Sequence, residues 1–115
     1  MVAGCLFCSI VAGAVPAQIV LENEHVLAFR DIHPAAPTHA LVIPRKHLAG
    51  VHDASPEDGA MLGQLVLTAR DVAEKLGLAQ GGYRLVLNQG TDGGQSVFHL
   101  HCHVLGGRPM AWPPG

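Results

Sequence analysis

Aromatic residues are few in this chain: three Phe, one Tyr and one Trp among 115 residues. A hydrophobic core must therefore be built mainly from aliphatic side chains. Charge is sparse too, at 14% Asp, Glu, Lys and Arg, with a net charge of −2. That balance supplies no cationic face, which argues against polymeric nucleic acid and favours a small phosphorylated ligand. Three cysteines are too few for a disulfide framework, and free thiols fit a reducing compartment. No run approaches the roughly 20 apolar residues of a membrane-spanning helix. The opening stretch is apolar but has no positive leading region, and Pro16 cuts it short. Val2-Ala3-Gly4-Cys5 is reminiscent of a lipoprotein cleavage box, yet no hydrophobic stretch precedes it. The expected setting is cytoplasmic and soluble, with no membrane partner. At 49% hydrophobic, the chain is expected to fold as one domain over residues 1–115.

What is present alternates in pattern. Cys5 to Ala12 suits a short helix closed by Gly13. Gln18 to Leu21 and Val26 to Ile32 read as strands of a hairpin turning at Glu22-Asn23-Glu24. Pro34 and Pro37 break the pattern. His39 to Pro44 is a near-continuous apolar run, typical of a strand covered on both faces. From Pro56 to about Leu76 the reading is a long helix. Ser55 and Asp58 give a capping signal, Pro56 suits the first position, and Gly77 closes the end. Met61, Leu62, Leu65, Val66, Ala69, Val72, Ala73 and Leu76 form its apolar stripe. Tyr83 to Asn88 is a further strand. The fold class expected is α+β: an antiparallel sheet of about five strands, with one long helix and a short N-terminal helix.

The chemistry concentrates between Asn88 and Leu105. Gly90, Gly93, Gly94 and Ser96 make a loop able to aim backbone N–H groups and a hydroxyl at an anion. Phe98 to Val104 alternates with period two, so Phe98, Leu100, Cys102 and Val104 are expected to face a core, and His99, His101 and His103 the other side. A row of histidines admits three readings: a polar strand face, a metal site with two imidazoles on one zinc, or covalent chemistry at phosphorus. Cys5 and Cys8 form a C-x-x-C that by itself is a redox pair, half a zinc site or coincidence.

His99-Leu100-His101-Cys102-His103-Val104-Leu105 resembles the signature of the histidine triad (HIT) superfamily. The surroundings are similar to its Hint branch, the histidine triad nucleotide-binding proteins. Asp31-Ile32-His33-Pro34, Pro37-Thr38-His39, Val42-Ile43-Pro44-Arg45-Lys46-His47, Asn88, Gly93-Gly94-Gln95-Ser96, Gly106-Gly107-Arg108 and Trp112-Pro113-Pro114-Gly115 carry the likeness over nearly the whole chain. Cys102, where a larger aliphatic is common, and Arg45, where lysine is more frequent, depart from it.

The resemblance implies a HIT-like fold and a hydrolase or transferase acting on purine nucleoside 5′-phosphoramidates or related adenylates. His101 would be the nucleophile, with its Nδ1–H held by a carbonyl, in the family that of the position matching His103. His103 and Ser96 would assist at the phosphate, with Asn88 and Gly94 completing the cradle and His39 supporting the triad. Asp31 would take the ribose, and Leu6, Phe7, Ile10, Phe29 and Ile32 the base of an AMP- or GMP-type ligand. The resemblance further implies a structural zinc on Cys5, Cys8, His47 and His99, no metal in catalysis, and a homodimer. A dinucleoside polyphosphate hydrolase, a non-catalytic nucleotide-binding scaffold and a metal-dependent hydrolase are the rival expectations.

Overall fold

The computed structural model describes residues 2–115. A short helix α1 (Leu6–Val11) precedes a hairpin of β1 (Ile19–Glu22) and β2 (Val26–Arg30); β3 is Thr38–Pro44. Helix α2 (Gly59–Lys75) then leads to β4 (Tyr83–Val86) and β5 (Cys102–Gly106). The strands form one antiparallel sheet in the order β1-β2-β3-β5-β4. The expected fold class, antiparallel α+β with one long and one short helix, is the fold observed. No helix among the described residues is long and apolar enough to cross a membrane.

Local chemistry explains the boundaries. At the first hairpin, the Asn23 carboxamide oxygen accepts from the backbone N–H of His25 and of Val26, at 2.8 and 3.0 Å, and closes the turn. Ser55 and Asp58 form a reciprocal capping box, but Pro56–Asp58 winds as a 3₁₀ turn before the α-helix proper begins at Gly59. The helix buries Leu65, Thr68, Ala69, Val72 and Ala73. Val66, expected in the apolar stripe, is 46% exposed. The buried arc extends instead on its other side to Thr68, whose hydroxyl accepts from the Asn23 amide.

The sheet has a core on each side. Val26, Ala28, Ala40, Val42, Cys102 and Val104 pack with α2 on one face. Leu27, Phe29, Leu41 and Ile43 pack with Phe7 of α1 on the other. This two-sided burial is why the apolar run of β3 shows no alternation.

The last strand departs from expectation. It begins at Cys102, not Phe98, and Phe98 is 54% exposed instead of facing the core. The reason is a change of backbone partner. The β3–β5 pairing ends at Val42↔Cys102, and the N–H of Leu100 donates 2.7 Å to the carbonyl of Leu48 in the loop after β3. Leu100 still reaches the helix-side core, but the chain before it peels away and carries Phe98 into solvent. Accordingly, Leu65→Ala should cost about 2–5 kcal/mol of stability in urea denaturation. Phe98→Ala should stay within about 0.5 kcal/mol; a multi-kilocalorie loss there would mean the ring is buried after all.

Candidate functional site

His99, His101 and His103 all lie on the sheet face opposite α2, as the alternation implies, although only His103 belongs to β5. The other two sit in the segment that has left the ladder, and both are buried. Rings 101 and 103 stand edge to face at 5.0 Å between centroids.

Hydrogen bonds fix the protons on these rings. The Nε2–H of His99 donates 2.8 Å to the carbonyl of Pro44, a group that can only accept, so the neutral ring keeps its lone pair on Nδ1. The Nδ1–H of His101 donates 2.7 Å to the carbonyl of His99. The expected carbonyl, that of His103, is not the one used. Because residues 99–101 are out of the ladder, the His99 carbonyl is free to turn toward the ring two residues on. The neutral His101 ring is left with its lone pair on Nε2.

A second chain of bonds orders His103. The backbone N–H of Ala35 donates 3.0 Å to Nδ1 of His39, so the proton of neutral His39 is on Nε2. That Nε2–H donates 2.9 Å to Nδ1 of His103, with Oδ2 of Asp31 further off at 3.4 Å. His103 in turn carries its proton on Nε2. Bare and protonated Nε2 atoms thus stand on neighbouring rings. Burial lowers the pKa of His39, opposed by Asp31. Burial, then the proximity of His101 and His39, holds His103 down at about 4, against the pull of Asp31.

A second cluster sits beside the triad. Sγ of Cys8 is 3.3 Å from Nδ1 of His47 and 3.6 Å from Nδ1 of His99. Sγ of Cys5 is 3.4 Å from Nδ1 of His99, and the two Nδ1 atoms are 3.1 Å apart. A tetrahedral zinc with Zn–N of about 2.0–2.1 Å and Zn–S of about 2.3 Å needs ligand separations of about 3.3–3.8 Å. Four of the donor separations stand near those spacings and all lie within 4.8 Å, and the lone pair of His99 Nδ1 is on the side of the other donors. This set can hold a metal ion. Cys102 is a different thiol: burial pushes it up to about 11, which keeps it protonated and inert.

Between α1 and the sheet lies an open cleft of about 470 Å³. Of the residues expected at the site, Leu6, Phe7, Ile10, Phe29, Asp31, Ile32, Ser96, His101 and His103 line it. Asn88, Gly94 and His39 stand outside its wall, His39 acting on it through His103. Its lining is mainly apolar, with Arg30, Asp31, His33, Ser96, His101 and His103 as the polar members.

A family model for the HIT domain matches residues 12–110. The chain belongs to the HIT family. An uncharacterized HIT-like protein of Synechocystis sp. is 51% identical over 110 residues, 96% of each chain. Among solved HIT structures, a HIT family hydrolase from Legionella pneumophila superposes with a TM-score of 0.94 at 50% identity, covering 97% of this chain and 100% of that one. A histidine triad protein from Clostridium difficile gives 0.92 at 37% identity, with 96% of both covered. The histidine triad nucleotide-binding protein of Candida albicans gives 0.82 at 30%, covering 96% of this chain and 83% of that one. The chain is thus a HIT family hydrolase-like protein, and Cys5 and Cys8 precede the residues the HIT model matches.

One organising residue of this HIT site carries no signal for a role of its own in the sequence. Gln95 is buried, and its side-chain amide donates to the carbonyls of Ala49 at 2.6 Å and Val97 at 3.2 Å. Its oxygen accepts from the N–H of Gly90 at 2.9 Å. The loop before Ser96 is thereby tied to the segment after β3, whose three consecutive residues all serve the site. His47 joins the metal cluster, Leu48 holds Leu100, and Ala49 holds Gln95. The loop also needs its glycines: a Cβ at Gly93 would lie 2.5 Å from the Gln89 carbonyl oxygen, and Gly94 has φ of +84°. Nothing short of the fold reveals a buried glutamine with three backbone partners.

Folded His103 stays neutral down to about pH 4, whereas an unfolded histidine titrates near about 6.5. The unfolded chain therefore binds the extra proton, and stability falls with falling pH. The contribution is complete above about pH 6.5 and is lost between there and about pH 4. Urea midpoints measured across that window should fall less steeply for His103→Gln than for the unchanged protein; equal slopes would show that His103 is not held neutral.

Proposed function

We propose that the protein is a hydrolase or transferase of the Hint branch. It would cleave a purine nucleoside 5′-phosphoramidate or related adenylate to the nucleoside monophosphate. One observation carries this reading: with Nδ1 of His101 committed to the His99 carbonyl, Nε2 is the nitrogen left for the cleft that the ring lines. A neutral imidazole so held is a nucleophile for phosphorus.

In this mechanism Nε2 of His101 attacks the α-phosphorus. A phosphorus–imidazole bond forms, the phosphorus–nitrogen bond to the leaving amine breaks, and the amine takes a proton that Ser96 relays from solvent, while the Nε2–H of His103 donates a hydrogen bond to the phosphate. Water then attacks phosphorus and passes a proton back through Ser96 to solvent, the bond to His101 breaks, and the monophosphate leaves with the imidazole restored. His103 and the glycine loop bearing Gly94 and Ser96 would bear the phosphate charge, with Asn88 flanking them. His39 would keep His103 in its donor form. Asp31 would accept the ribose hydroxyls, and Leu6, Phe7, Ile10, Phe29 and Ile32 would enclose an adenine or guanine base. AMP- or GMP-type ligands follow.

Zinc is proposed on Cys5, Cys8, His47 and His99, supported by their spacing and by the lone pair on His99 Nδ1. It would act as a cross-link and supply nothing to the reaction. The terminal position of β4 in the sheet, with Tyr83 at 36% exposure and Trp112 at 81%, supports pairing of two copies about a two-fold axis.

With an adenosine phosphoramidate as substrate, His101→Ala should abolish turnover while AMP affinity stays within about threefold; a variant of normal rate would end the proposal. Zinc-reloaded protein should hold one zinc per chain by metal analysis. Chelator-stripped protein should unfold at lower denaturant; metal-free protein of unchanged stability would rule the zinc out.

A further inference from the structure

α1 packs on the sheet through Phe7 and Ile10, but its hydrogen bonds to the rest of the molecule run through the metal cluster. Among the described residues, every hydrogen bond that leaves the segment 2–15 runs from the sulfurs of Cys5 and Cys8 to His47 and His99. The other bonds of this segment are internal, such as Cys5 capping Cys8 and Ser9 returning to the Cys5 carbonyl. Apolar contact supplies the rest. Phe7 stands edge-on to Phe29 at 5.5 Å and to His101 at 5.2 Å, and Ile10 lies against the same cluster. A helix of six residues does not hold itself together in water.

The same six residues supply part of the cleft's apolar wall, through Leu6, Phe7 and Ile10. Cys5 and Cys8 bracket Leu6 and Phe7 in sequence, so one short turn of helix offers metal donors on one side and cleft wall on the other. Thiol–imidazole contacts at 3.3–3.6 Å are weak without an ion. A bridging metal would replace them with coordinate bonds to His47 and His99, which are anchored in the sheet and its loops.

We propose that metal and nucleotide bind this chain cooperatively, with α1 as the coupling element. This rests on the nucleotide-cleft reading above. Metal bound to Cys5, Cys8, His47 and His99 orders α1 and removes an ordering cost that base binding must otherwise meet. Nucleotide in the cleft presses on Leu6, Phe7 and Ile10 and holds the two cysteines in place for the metal. Linkage requires both effects to be the same factor. The proximity of Phe7 to His101 gives α1 a second route to the reacting end, since a loose α1 also frees one flank of that ring.

The test uses the full chain and two probes, AMP and zinc. AMP affinity is measured by calorimetry on zinc-loaded and zinc-stripped protein, and zinc affinity by chelator competition with and without saturating AMP. Stripping should weaken AMP by about 5–150-fold, the usual span of such couplings, and AMP should tighten zinc by that same factor. The double variant Cys5→Ser with Cys8→Ser should bind AMP as the stripped protein does and ignore added zinc. Equal AMP affinity in the loaded and stripped forms overturns the coupling while leaving the nucleotide reading intact. Loaded protein that binds no AMP removes that reading and the coupling with it, and protein that takes up no zinc removes the coupling alone. If circular dichroism shows that stripping unfolds the sheet, the loaded form decides: AMP must slow zinc transfer to the chelator, and an unchanged transfer rate overturns the proposal.

Discussion

A single hydrogen bond, from Nδ1–H of His101 to the carbonyl of His99, is the constraint on which the site depends. A neutral imidazole has one proton and two nitrogens, and only a fixed acceptor decides which nitrogen is bare. For the His99 carbonyl to turn toward the ring, residues 99–101 must leave the strand ladder. A segment outside a ladder needs other anchors, and here they are the Leu48 carbonyl on Leu100, the Pro44 carbonyl on His99, and the cysteine–histidine cluster on the far edge of the His99 ring. Local loss of sheet structure is therefore part of how the site is made.

Burying uncharged histidines is costly unless each polar atom has a partner. Among the described residues no buried side-chain nitrogen or oxygen lacks one. One series of hydrogen bonds runs from Ala35 N–H through His39 to His103; in the other, His99 donates to the Pro44 carbonyl and His101 to the His99 carbonyl, with proton directions set from atoms that can only donate or only accept. The sheet makes room for this because its two faces are divided. Helix α2 and its aliphatic partners take one face. The histidines share the other with Phe7 and Phe29, two of the chain's five aromatics.

Much of this was legible in the residues. Period two over Leu100 to Val104 set which way the histidines point, since alternation survives even where the ladder does not. The unbroken apolar run of β3 announced burial on both faces. The histidine signature led to the family directly, and through it to the cysteine–histidine set. What stayed hidden has a common cause, a backbone group whose partner is distant in sequence. Phe98 was expected inside because periodicity cannot register that Leu100 bonds to Leu48. The family likeness put the carbonyl that holds His101 at His103; it is that of His99, free to turn because the distant Leu48 partner of Leu100 draws this segment out of the ladder. Gln95 is held by Gly90 and Val97 of its own loop and by Ala49 from the segment after β3, and no pattern of side chains encodes that distant bond.

The central claim is the tautomer of His101, and nitrogen-15 NMR of the imidazoles measures it directly. With the ring nitrogens labelled, the account predicts that the neutral form of His101 has a protonated Nδ1 and an Nε2 with the shift of a bare, lone-pair nitrogen. A protonated Nε2 with a bare Nδ1 would contradict it, because the nitrogen facing the cleft would then have no electron pair to give to phosphorus.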